Sequence, residues 1–220
     1  MLGWLALHPG THSRASVAAR FWPDVVDGTA RASLRNALWS LRRTAGAGLP
    51  ATSGERVGLA PSVWVDAVAF AELAQAGSLE DAAALCSGDL LSGVDDDEWV
   101  HAVPEAHRRR LSHVLDTLAA RAESAGNRLR AVELSRRRAG QDPLGEDAHA
   151  ALIARLVAAG DTVAALVCFV RHRDALRREL GIAPSSAIRR LVSDLRVTSG
   201  ERSRSRAHRS ERRMAPGRPG

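Results

Sequence analysis

A chain of 220 residues, 45% of them hydrophobic, is long enough for one large domain or two small ones, each with its own core. Its formal net charge of +6 rests on 31 basic residues, all of them Arg, and the absence of Lys excludes phosphate-loop, kinase and Schiff-base chemistry, each of which needs an amine. No apolar run approaches the roughly 18 residues of a membrane span, and Met1 to Leu7 is too short and uncharged for a signal peptide, so a cytoplasmic protein without a membrane partner is expected.

The charge is unevenly placed, which says more than its size. Residues 1–65 carry 7 Arg against 3 acids and residues 198–220 carry 7 against 2, whereas residues 66–197 carry 17 against 20. A basic front followed by a mildly acidic middle suits a DNA reader joined to an interaction module. Cys86 and Cys168 have no partners at metal-site spacing and lie in apolar helical patterns, so free, buried thiols are expected.

In chain order, Met1 to Leu7 has the pattern of a helix end, stopped by His8-Pro9-Gly10. Ser13 is placed to cap a second helix that runs through Trp22, with Val17, Phe21 and Trp22 on its apolar side and Pro23 closing it. After a turn from Asp24 to Gly28, Thr29 is placed to cap a third helix through Arg43. Leu34, Ala37, Leu38 and Leu41 share one side of it, the spacing of a stripe that buries itself in a core.

The other side of this third helix is basic. Arg31, Arg35 and Arg42 fall within about 40° of one another, Asn36, Ser40 and Arg43 continue the polar surface, and no acid interrupts it from Thr29 onward. Arg pairs with guanine and Asn with adenine in the major groove, so such a face suits DNA, although a basic helical face taken alone is as readily a solvated surface. Trp39 lies off the leucine stripe, where it is free to meet a neighbouring element, a partner or DNA.

Leu49 to Thr52 and Arg56 to Leu59, joined at Ser53-Gly54-Glu55, have the pattern of a β hairpin, with Val63-Trp64-Val65 as a further short strand. A hairpin directly after a basic helix is a wing, and Arg56 near its tip would meet a phosphate. Two short helices, a turn, a basic helix and a wing make a winged helix-turn-helix over residues 1–66.

From Asp66 every long segment is helical in pattern. Val68 to Ala76 and Leu79 to Ser87 form one helical pair, and a long helix spans Glu98 to Ala125. Gly126-Asn127 and Gly160-Asp161 then lie 34 positions apart, with Leu118 and Leu152, Ala122 and Leu156, Ala131 and Ala165 in equivalent places. Helical hairpins at that period are tetratricopeptide-like, although the second unit runs on through Leu180 before Gly181. Ser185 to Leu195 would supply a terminal helix. Residues 67–197 thus form an all-α repeat domain, and the Ser-, Arg- and Pro-rich residues 198–220 are expected to be a disordered basic tail.

Several strings resemble those of the bacterial transcriptional activator domain of Streptomyces antibiotic regulatory proteins: Trp64-Val65-Asp66, Gly88-Asp89-Leu90-Leu91, the acidic Asp95 to Trp99 loop, Asp142-Pro143-Leu144, Glu146-Asp147-Ala148-His149, and Arg178-Glu179-Leu180-Gly181 with Pro184-Ser185. Leu34-Arg35-Asn36-Ala37-Leu38 and Leu41-Arg42-Arg43 resemble the winged helix that precedes that domain. The resemblance implies a mainly α, cofactor-free bacterial regulator that binds double-stranded promoter DNA and contacts RNA polymerase, with homodimerisation left open. It places Asn36, Ser40 and Arg42 at the major groove, Ser40 standing where relatives often carry a basic residue. It also implies a β-sheet and a longer first helix ahead of residue 1, so the winged helix is expected to be incomplete at its front and its wing short of a pairing edge.

The main alternative is an interaction scaffold whose front domain no longer reads DNA. An enzyme is not expected. Asp95, Asp96, Asp97 and Glu98 lack the His or spaced Gly of a metal loop and suit a helix N-terminus. His149 aligns with apolar Leu115 in the repeat, which marks it as a packing residue rather than a ligand.

Overall fold

The computed structural model describes residues 1–46, 49–86, 88, 90 and 98–193. The acidic run Asp95-Asp96-Asp97 and the basic tail of 198–220 lie outside the described residues. The chain divides into two compact units, Met1–Val114 and one that begins at Leu115. The first contains α1 (Leu2–Leu7), β1 (Thr11–Ser13), α2 (Arg14–Phe21), α3 (Asp27–Ala45), β2 (Pro50–Ser53), β3 (Arg56–Leu59), α4 (Asp66–Ala76) and α5 (Leu79–Leu85). Helix α6 (Glu98–Ser124) passes from the first unit into the second, which continues with α7 (Arg128–Gln141), α8 (Glu146–Ala158), α9 (Thr162–Leu180) and a short helix over 186–193.

Local chemistry accounts for most of the first unit. Ser13 caps α2 as its position predicts, its hydroxyl accepting the Ser16 N–H at 3.0 Å. Thr29 does not cap α3. That helix starts earlier, with Val26 at the cap position and its carbonyl accepting from Thr29 N–H and Ala30 N–H. Asp27 in the first turn favours the earlier start, because a carboxylate there complements the helix dipole. Ala30, Leu34 and Leu38 are buried against Trp4, Leu5, Val17, Ala18 and Val57. The expected leucine stripe therefore forms the floor of this core, with Ala30 added and Leu41 only half-buried.

The sheet departs from expectation in two ways. Its order is β1-β3-β2, so β3 is central, and the wing does not lack a pairing edge: β1 supplies it, with Thr11 opposite Gly58 and Ser13 opposite Arg56. The predicted strand at Val63-Trp64-Val65 does not form. With β3 paired on both sides there is no free edge beside it, and a turn closed by the Val63 N–H on the Ala60 carbonyl leads straight into α4. Pro50 is tolerated in β2 because that strand is at the edge. Gly58 is required by close packing, since a Cβ there would lie 2.3 Å from the Gly10 carbonyl oxygen.

In the second unit the 34-residue period is a repeat of turn chemistry. Gly126 and Gly160 both have positive φ, 77° and 85°. The next residue caps the following helix in each case, Asn127 accepting the Arg130 N–H at 3.1 Å and Asp161 the Ala164 N–H at 2.9 Å. Leu118 and Leu152 are buried, as are Ala131 and Ala165. Helix α8 packs between α7 and α9 on a core that includes Ile153, Leu156, Phe169, Ile188 and Val192, the last two supplied by the 186–193 helix. That helix is pinned to the start of α8 by the Ser185 N–H, which donates to the Glu146 carboxylate at 2.6 Å. Bonds from the Ser185 side chain and backbone hold this carboxyl below its ordinary value.

Neither cysteine is in a disulfide; Cys86 is buried, with Sγ 3.6 Å from His107 Nε2, while Cys168 is only half-buried. His149 packs as its alignment predicts, its ring stacked on that of His172 at 4.0 Å and its Nδ1 2.9 Å from the Gly145 carbonyl. His172 is fully buried, Nδ1 donates to the Pro143 carbonyl at 3.2 Å, and Nε2 has no partner among the described residues. Burial first, and then the neighbouring His149, pushes its pKa below the ordinary 6.5. The folded state resists a proton that the unfolded chain accepts, so stability is full above about pH 6.5 and falls as pH drops below it. Urea midpoints should fall from pH 7.5 to pH 5.5, and His172→Gln should flatten that dependence; an unchanged slope in the variant would place its origin elsewhere.

Candidate nucleic-acid interface

With Ala30, Leu34 and Leu38 against the core, the side of α3 turned furthest from it is set by helical geometry. At about 100° per residue the ridge opposite the leucines runs through Asn36, Trp39 and Arg43, with Arg35 beside it and Ser40 on the other flank. All five are exposed, Trp39 to 59%. Arg35 and Asn36 have no polar partner among the described residues. Arg43 lies over the Trp39 ring at 4.7 Å, a cation–π contact that holds the guanidinium in place and leaves its edge available.

The remaining arginines flank the wing. Arg31 pairs with Asp27 at 3.1 Å and approaches Glu55 at 3.9 Å, so the face expected to be free of acids has one at its start and another across from it. The earlier start of α3 is what brings Asp27 one turn from Arg31. Arg42 donates to Thr52 Oγ1 on β2. Arg56, expected to reach outward from the wing, instead donates to the Thr11 side chain and carbonyl, both at 2.7 Å, and fastens β1 to β3. The wing tip is held from the other side by Arg14, whose Nε donates to the Gly54 carbonyl at 3.0 Å while its backbone N–H donates to that of Glu55.

Of the seven residues singled out from the sequence, Asn36 and Arg43 share the outward ridge of α3, Arg35 and Ser40 are exposed on its two flanks, and Arg31, Arg42 and Arg56 are engaged in contacts within the winged helix. Of two further contributors, Trp39 was expected to meet a neighbouring element, a partner or DNA, whereas Arg14 had no expected role. Trp39 belongs to the ridge because it stands three residues after Asn36 and four before Arg43, a spacing readable from the sequence. Arg14 steadies the wing over 40 residues of separation, which no local pattern shows.

A family profile described as the bacterial transcriptional activator domain matches residues 65–196, more than half of the chain. The chain belongs to the bacterial transcriptional activator domain family. This agrees with the resemblance carried by the strings from Trp64 to Ser185. Among solved structures, EmbR of Mycobacterium tuberculosis, in complex with a low-affinity phosphopeptide, is similar with a TM-score of 0.53 at 19% identity. The likeness covers 86% of this chain and 55% of EmbR, and so includes much of the winged helix as well as the activator domain. No curated protein sequence matches the chain. No helix among the described residues is long and apolar enough to cross a membrane. What the arrangement around α3 offers is a guanidinium and amide surface, backed by the core and flanked by a hairpin.

Proposed function

We propose that this activator-domain protein is a sequence-specific regulator of transcription that reads double-stranded promoter DNA with α3 and contacts RNA polymerase through its helical domain. One observation carries the DNA half of the reading: Asn36 and Arg43 stand on the side of α3 opposite its buried leucines, with Arg35 exposed on the flank. Arg and Asn are the side chains whose paired donors and acceptors match guanine and adenine edges in the major groove. The wing, tied down at Arg14 and Arg56, sets the helix in one orientation relative to the phosphate backbone. The family's activator role supports the polymerase half.

Selection of bound duplexes from a random pool should return a defined site, and repeated half-sites would reveal a dimer. Salt gives an independent check. Four guanidinium–phosphate contacts would lower affinity by about 150-fold for a fourfold rise in salt. The engagement of Arg31, Arg42 and Arg56 within the domain favours the second reading, a protein-interaction module that does not bind DNA. A flat salt response with no enriched sequence would decide for that module.

A further inference from the structure

The second unit contains a cleft of about 440 Å³ formed by α7, α8 and α9. Its floor is Leu152 and Leu156, one turn apart on α8 and buried. One wall is a stripe of α9 in which Val163, Val167 and Arg171 follow at intervals of four residues. The two valines are 72% and 44% exposed, although the same helix buries Ala165, Phe169 and Leu176 on its other side. Arg136 of α7 stands on the opposite wall, exposed like Arg171.

Several arginines of the same unit are paired with carboxylates. Arg138 and Arg155 share Asp116, Arg130 pairs with Glu133, Arg173 with Asp174 and Arg178 with Glu179. Arg136 and Arg171 have no such carboxylate among the described residues. Cys168 lines the cleft with them; burial raises that thiol's pKa and the two guanidiniums oppose the rise. Asp161, which also lines the cleft, is occupied in capping α9. The cleft therefore combines apolar surface with uncompensated positive charge.

We propose that this cleft docks a protein segment whose apolar side chains lie on Val163 and Val167 and whose carboxylates meet Arg136 and Arg171. Exposed apolar surface beside unpaired guanidinium groups matches an acidic, amphipathic stretch in both respects. A nucleic-acid backbone would satisfy the arginines and leave the valines uncovered. The site is separate from α3, so it stands whether or not the front of the chain reads DNA.

The test uses the full chain and a phage-displayed library of random dodecamers. Panning should enrich peptides that combine Asp or Glu with Leu, Ile or Phe. The Arg136→Glu/Arg171→Glu variant should bind these peptides at least about tenfold more weakly, as should Val163→Asp/Val167→Asp, with unchanged circular-dichroism melting because all four side chains are exposed. Bound peptide should protect Cys168 from alkylation, and Arg35→Glu/Arg43→Glu should bind peptide as the wild type does. No enrichment, enrichment of basic or uncharged peptides, or equal binding by the Arg136→Glu/Arg171→Glu variant would overturn the proposal. So would a change in sedimentation with that variant, which would assign the cleft to a second copy, or its loss of duplex affinity, which would assign the arginines to DNA.

Discussion

Arg35→Glu combined with Arg43→Glu is expected to weaken duplex binding by at least about 100-fold, two lost base or phosphate contacts being worth roughly 1–3 kcal/mol each before repulsion is added. Neither side chain touches the core, so the melting curve should stay close to that of the wild type. The comparison that gives this result its meaning is Arg31→Glu with Arg56→Glu. These residues hold Asp27 and Thr11 within the domain, so their reversal should lower stability as well as binding. If the first pair left affinity for a selected site intact, α3 would not be the reading element. Electrophoretic mobility shifts and thermal melts on the same preparations separate the two effects.

Gly58→Val is expected to give the largest loss of stability from a single change in the first unit. Its Cβ would meet the Gly10 carbonyl oxygen at 2.3 Å, and that neighbour is backbone, which cannot rotate away as a side chain would. Relief requires β1 to leave β3, at a cost of about 1–3 kcal/mol or more by analogy with overpacked cores. Ala51→Val, on the β2 residue paired with the same glycine, should cost well under about 1 kcal/mol, because valine suits an edge strand. Hydrogen exchange of the β3 amides in Gly58→Val should report the loss. Protection equal to the wild type's would mean that β1 shifts without unpairing. Duplex affinity should fall along with the protection, since Arg56 and Thr11 hold the wing through the same strand pair.

These two changes also mark what the residues alone could show. The leucine stripe of α3, the Ser13 cap and the paired Gly-Asn and Gly-Asp turns were legible because each is set by residues within one or two turns of one another. The 34-residue period was legible for the same reason, a repeated local signal. Three residues of β1 are too few to show alternation, and their partners lie more than forty positions away. The start of α3 was misplaced because Thr29 is a good capping residue by type, whereas Asp27 complements the dipole from within the first turn. Which arginines of α3 remain available could not be read from helical angles alone. It depends on Glu55 and Thr52 of the wing, and on a sheet whose third strand was not expected.

The sheet that joins Thr11 to Gly58 also fixes when the protein becomes competent. As the polypeptide leaves the ribosome, α2 and α3 emerge before the central strand against which β1 must close. A nascent chain ending ahead of Arg56 holds the exposed side chains of α3 and still lacks the strand that pairs with β1. Closing a contact across 45 residues, as Arg56 does on Thr11, is slow compared with forming a helix. The DNA reading proposed for α3 would therefore become possible only after β3 is made, and an isolated α3 peptide would lack the frame it needs.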